Sequence, residues 1–188
     1  TALLKGVSAT IGEAKVTGDL ELENATQLEI TQDMLDVGGH LKVGEGLFAS
    51  VLTHAHCTLE TTRRLKVTAG SLTVHSLSSV DVSGRGYAPA FPGISHGANN
   101  LAEFGPAHRA GGSHGGRGGK TSNGESGVTF DPYHAPTQPG GAGGSYNHIY
   151  LGGYGGGVIE LEVTDYLTVH GALRADGAPP AGQKLGGG

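Results

Sequence analysis

Two histidines at alternate positions, His54 and His56, fall on one face of an extended chain. Such a pair can grip Zn²⁺ or Cu²⁺ once a third ligand arrives. Cys57, the single cysteine, points to the opposite face and is a poor third ligand. It is expected to be buried as a small apolar residue, or, outside the cell, to form an intermolecular disulfide. With 10 histidines in the chain such a pair also arises by coincidence, as solvated surface residues. His96, His108, His114, His134 and His148 can titrate near neutral pH, although histidine also serves simply as a polar packing residue. Asp81, Glu160, Glu162, Asp165 and Asp176 supply the hard oxygens that Ca²⁺ requires, yet no EF-hand spacing joins them. Calcium is the one ion this pattern admits, and solvated outward carboxylates are the simpler reading.

Catalytic constellations are absent from the pattern. Glu160 and Glu162 alternate on one strand about 6–7 Å apart, within reach of paired-carboxylate chemistry, but nothing marks a cleft around them. No Gly-x-Ser-x-Gly elbow occurs. Gly118-Gly119-Lys120-Thr121 ends like a phosphate-binding loop, but the leading glycine, the preceding strand and the following helix are missing. The chain therefore reads as a non-enzyme. Asn24-Ala25-Thr26 is the only glycosylation triplet. Tyr87, Tyr133, Tyr146, Tyr150 and Tyr154 offer amphipathic rings that can stack on sugars or on a protein partner.

The elements that carry these residues are short strands. An apolar-polar-apolar pattern recurs at Leu20-Glu21-Leu22, Leu28-Glu29-Ile30, Leu35-Asp36-Val37, Leu41-Lys42-Val43, Leu65-Lys66-Val67, Leu72-Thr73-Val74 and Val80-Asp81-Val82. It returns at Ile159-Glu160-Leu161-Glu162-Val163 and Leu167-Thr168-Val169. Period-two alternation predicts strands with one buried face. Strands this short, with few hairpin dipeptides between them, favour stacking over a meander. The expected fold is all-β: a parallel, right-handed β-helix whose aliphatic side chains stack rung on rung. Leu41-Lys42-Val43 and Leu65-Lys66-Val67 are expected to lie one coil apart. An antiparallel sandwich is the alternative.

Composition narrows the class. Of 188 residues 36 are glycine, about 19% against a usual level of ~7%. No strict Gly-X-Y period runs through the chain, which excludes collagen. No apolar run approaches the ~18 residues of a membrane helix. A net charge of −5 argues against nucleic acid as a partner. The chain begins at Thr1 and ends in Gly186-Gly187-Gly188, which reads as a mature product or a piece of a longer polypeptide.

Three regions follow. Residues 1–82 are expected to form β-helix coils. Residues 83–157 are a glycine-rich insertion holding Phe91, Phe104, Phe130 and the five tyrosines above, eight of the ten aromatics. So many aromatics suit an ordered loop packed on the strands, whose glycines approach closely and adopt positive φ. Residues 158–188 return to strands and run into further glycine. Ser71-Leu72-Thr73-Val74-His75 recurs as Tyr166-Leu167-Thr168-Val169-His170, an internal repeat linking the first and last regions.

Val80-Asp81-Val82-Ser83-Gly84-Arg85-Gly86-Tyr87, then Gly153-Tyr154-Gly155-Gly156-Gly157-Val158-Ile159-Glu160-Leu161, then Leu173-Arg174-Ala175-Asp176-Gly177, resembles glycine-rich, pectin-lyase-like β-helix proteins of cell surfaces and extracellular matrices. The resemblance implies an extracellular structural role, as a segment of a filament, matrix or adhesin that self-associates. A carbohydrate-binding adhesive module is the second expectation and a polysaccharide lyase or hydrolase the third. The Asp and Arg clusters of the β-helix pectinases are not recognisable. No cofactor and no membrane insertion are expected.

Overall fold

The computed structural model describes residues 1–58, 60–89, 106, 108–146, 150–180 and 188. Phe91, Phe104, His96 and His148 lie outside the described residues. Among the described residues eleven strands run in chain order: β1 Ala2–Lys5, β2 Ser8–Ile11, β3 Ala14–Val16, β4 Leu20–Glu23, β5 Gln27–Ile30, β6 Met34–Val43, β7 Val51–His54, β8 Leu65–Val74, β9 Ser79–Asp81, β10 Ile159–Val169 and β11 Ala172–Arg174. The described residues contain no helix.

The strands form two parallel sheets. One has six strands, in the order β1-β4-β6-β8-β10 with β3 also on β6; the other has five, in the order β11-β9-β7-β5-β2. This corrects the expected β-helix: the sheets are open, neither closed nor curled into a coil. Period-two alternation reports only that one face of a strand is buried. A coil and a pair of sheets satisfy it equally, and the pattern carries no signal of closure.

Strand pairing also departs from a fixed coil length. Leu20 pairs with Ala2 on one side and Leu41 on the other; Leu41 pairs with Leu72, and Leu72 with Leu167. The sequence interval lengthens at every step. Leu41-Lys42-Val43 therefore lies beside Leu72-Thr73-Val74, while Val67 lies beside Leu35. The recurring Leu-Thr-Val is itself a pairing: Leu72, Thr73 and Val74 stand opposite Leu167, Thr168 and Val169.

Register builds aliphatic files across each sheet. Ala2, Leu20, Leu41, Leu72 and Leu167 form one; Leu4, Leu22, Val43, Val74 and Val169 form the next. In the second sheet Ala9, Leu28, Leu52, Val80 and Leu173 form a third. The middle members of all three are buried. At about 1.5–3 kcal/mol for each fully buried Leu or Val, these files are the main favourable term of the strand unit. Gly38, Gly39 and Gly70 interrupt the long strands where the register shifts between Val37 and His40. A Cβ on Gly70 would stand 2.9 Å from the Gly39 carbonyl oxygen, so close passage excludes a side chain there.

Cα packing divides the chain into two compact units. The strand unit holds residues Thr1–Ala55, Leu65–Asp81 and Ile159–Arg174; the glycine-rich unit holds His56–Arg64, Val82–Val158 and Ala175–Gly188. No strand crosses the described part of the second unit. Its order comes from glycine at three-residue intervals. Gly140 and Gly143 donate their N–H groups to the carbonyls of Gly156 and Gly153. Gly141 and Gly144 donate to Ser113 and Ala110, on a different neighbouring segment. The third positions, Ala142 and Ser145, are fully buried. Three sides repeating every three residues is the geometry of a polyproline II chain, which has three residues per turn and no internal hydrogen bonds. The expected positive φ is found only at Gly84 among this unit's described glycines. Elsewhere the absence of a Cβ is what matters: one on Gly112, Gly152 or Gly155 would fall about 2 Å from the carbonyl oxygen of Gly141, Gly143 or Gly140.

Candidate functional site

Among the described residues the strand unit ends in open edges. β10 and β11 terminate the two sheets on one side, and β1, β2 and β3 terminate them on the other. A terminal parallel strand presents a row of backbone donors and acceptors with no neighbouring strand. The aliphatic files run out into solvent at the same places. Leu167 is 46% exposed, Val169 40% and Leu173 41%, although their partners Leu72, Val74 and Val80 are fully buried. At the other edge Ala2, Leu4, Ala9, Ala14 and Val16 are half-buried. Exposure here follows from position in the stack, because the residue types are those of the core.

The edges differ in charge. Lys5 and Lys15 mark the β1–β3 side, with side chains 54% and 74% exposed. Lys15 reaches Asp36 on β6 at 2.8 Å, and its hydrogen bond and charge hold the ammonium above its usual pKa. Glu160 and Glu162 mark β10, with Lys66 of β8 between them at 3.0 and 3.8 Å. Deeper in the sheet Lys42 bridges Glu21 at 3.0 Å and Glu23 at 2.7 Å. The hydrogen bond from Lys42 outweighs burial and keeps the Glu23 carboxyl below its ordinary range. Glu160 and Glu162 thus stand in an exposed cross-strand ion cluster.

The histidines of the proposed metal pair have separate surroundings. His54 is fully buried and continues the file of Ile11 and Ile30. Its Nδ1–H donates to the Ala55 carbonyl at 2.6 Å. His56 is exposed and sits edge-on to the Tyr154 ring, 5.4 Å between centroids. Among the described residues no group of three His, Cys, Asp or Glu is placed to hold a metal ion. Cys57 is buried, and its Sγ accepts the Arg63 N–H at 3.1 Å. Asn24 lies half-buried in the β4–β5 turn with φ 51°, and Thr26 of the same triplet is buried, donating to Glu23 and Leu4 carbonyls.

The five tyrosines do not make one platform. Tyr87 is 1% exposed, packed on Phe130 and donating its hydroxyl to Gln138. Tyr146 lies under the Arg109 guanidinium at 3.7 Å, and Tyr154 is half-buried against His56. Tyr133 and Tyr150 are exposed. No family model, curated protein or solved structure matches this chain.

The glycine-rich unit also holds a well-buried carboxylate outside the candidates named above. Asp131, at φ 59°, has a side chain only 3% exposed. Burial pushes its carboxyl pKa up. The N–H groups of Gln138 and Thr137 and the Thr137 hydroxyl outweigh that, with the charge of His114 adding, and hold it below the ordinary value. His114 Nε2 lies 3.3 Å away and 2.9 Å from the Gln138 carbonyl. Asp131 thereby closes the loop 131–138 on itself. The signal present in the sequence was Asp131-Pro132, a common turn opening.

Proposed function

We propose that this chain is a structural protein of the cell surface or extracellular matrix, a segment of a filament, matrix or adhesin that self-associates. The observation that carries this reading is the pair of open parallel edges, where files buried in the middle of the stack emerge half-exposed at Leu167, Val169 and Leu173. Exposed edges flanked by aliphatic side chains are templates for further pairing. The extracellular assignment rests on the resemblance of the glycine-rich sequence to surface proteins. The reading assigns the chain no reaction. Negative-stain electron microscopy of the purified protein, with concentration raised stepwise, tests it. Filaments with a regular axial repeat are expected. Discrete monomeric particles at every concentration would remove self-association and transfer the weight to glycan contacts at the exposed Tyr133 and Tyr150.

A further inference from the structure

Resting on that self-association reading, we propose its partner and register: the β10–β11 edge of one molecule receives the β1–β2 edge of a second copy, parallel and head to tail. Ala2 of the incoming copy stands on Leu167, Leu4 on Val169 and Ala9 on Leu173. Each placement extends a file already present, since Ala2, Leu4 and Ala9 head the same files that Leu167, Val169 and Leu173 end.

The stepped outline of the six-stranded sheet selects this register over its neighbour. β6 carries both β3, on Leu35–Val37, and β4, on Leu41–Val43. β1 lies one strand further out on β4, while among the described residues no strand lies beyond β3. If β3 of the incoming copy paired directly with Leu161–Val163, its β1 would fall on the place already held by Tyr166–Val169. Seating β1 on Tyr166–Val169 avoids the collision. A gap one strand wide then remains above Leu161–Val163.

Charge complementarity fits the same seating. Lys15, Asp36, Thr68 and Glu162 stand in one file. Lys15 of the incoming copy therefore faces Glu162 across the one-strand gap, roughly 10 Å between backbones, a distance two long side chains can close. A like-to-like contact would instead bring β10 carboxylates against β10 carboxylates. The contact is head to tail and repeats the strand-to-strand step of the sheet, so each copy advances along the stack rather than returning on itself, and the assembly propagates into a filament. The five strands β1-β4-β6-β8-β10 at ~4.8 Å spacing set a rise of roughly 24 Å per molecule.

Disulfide trapping tests the register. Leu3 and Thr168 share the outward file through Glu21, Lys42 and Thr73, so Leu3 of one copy should lie beside Thr168 of the next. Adjacent strands place two Cα atoms within the 4.4–6.8 Å that a disulfide spans. Purified L3C and T168C proteins, mixed under mild oxidation and mapped by peptide mass, are expected to give the Leu3→Cys/Thr168→Cys crosslink as the main product. An L3C and E162C mixture should give at least tenfold less. Mapping distinguishes any bridge to the native Cys57. Wild-type filaments with L3C/L3C or T168C/T168C as the main product would overturn the register and leave self-association standing. A wild-type protein that is monomeric throughout and gives no crosslink would overturn both.

Discussion

At the residue scale Asp131 shows how one carboxylate orders a glycine-rich loop. It accepts from the Gln138 N–H at 2.8 Å and the Thr137 hydroxyl at 2.9 Å, in a pocket that leaves its side chain 3% exposed. Its folded pKa lies below that of the unfolded chain, about 3.9. The unfolded state therefore binds the proton more readily. The stabilisation is complete above the unfolded pKa and drains away as pH falls through the folded one. The protection of the Thr137 and Gln138 amides against exchange, relative to the unfolded chain at the same pH, should be high at pH 6 and fall selectively below about pH 4. Asp131→Asn keeps the shape but weakens the charge-assisted bonds, and should cost about 1–2 kcal/mol, read as a lowered denaturant midpoint. It should also remove the selective acid response. Equal acid sensitivity in D131N and wild type would assign that response to other carboxylates. The Asp-Pro dipeptide made a turn legible in the sequence, but not its pocket, because Thr137, Gln138 and His114 are brought there by tertiary packing.

At the element scale the two units obey different periods. Strands follow period two, and the sequence exposes it: Leu20-Glu21-Leu22 and Leu65-Lys66-Val67 alternate as their burial does. What alternation leaves open is which strand lies beside which. Leu41-Lys42-Val43 and Leu65-Lys66-Val67 look alike in sequence, yet they occupy different halves of the first sheet's register. Pairing is settled by loop length and file matching, which no single segment encodes. The glycine-rich unit follows period three, visible in Gly140-Gly141-Ala142-Gly143-Gly144-Ser145, once each glycine is read as a missing Cβ rather than a positive φ. That reading separates two kinds of glycine. A Cβ on Gly155 would fall on the Gly140 carbonyl oxygen, whereas one on Gly116 meets nothing within 4 Å. Gly155→Ala should destabilise by about 1–3 kcal/mol, the usual cost of overpacking. Gly116→Ala should be neutral or stabilise by up to ~1 kcal/mol by restricting the unfolded chain. Chemical denaturation of both variants checks the pair, and equal effects would argue against backbone packing as the source of order.

At the scale of the whole molecule the files that form its core are also what leaves it incomplete. A file buried through Leu20, Leu41 and Leu72 reaches Leu167 on β10, the outermost strand of its sheet among the described residues, and emerges there 46% exposed. The internal repeat, Leu72-Thr73-Val74 beside Leu167-Thr168-Val169, shows that the sheet accepts a near-copy of its own strand as a neighbour. Association that occurs only between folded chains must raise apparent stability with concentration. For a strongly associating chain, each tenfold increase adds up to about 1.4 kcal/mol, because mass action scales as RT ln of concentration. In a chain of 188 residues that corresponds to a rise in Tm of roughly 3–5 °C. Val169→Lys places a cation at the end of an aliphatic file that is already 40% exposed, where solvent can hydrate it in the monomer but a stacked copy would bury it. Its Tm should be near that of dilute wild type and flat with concentration. Calorimetry over a hundredfold concentration range checks both slopes. A rising Tm in the variant would place the association elsewhere on the molecule, and a flat Tm in wild type would mean that the open edge is tolerated without a partner.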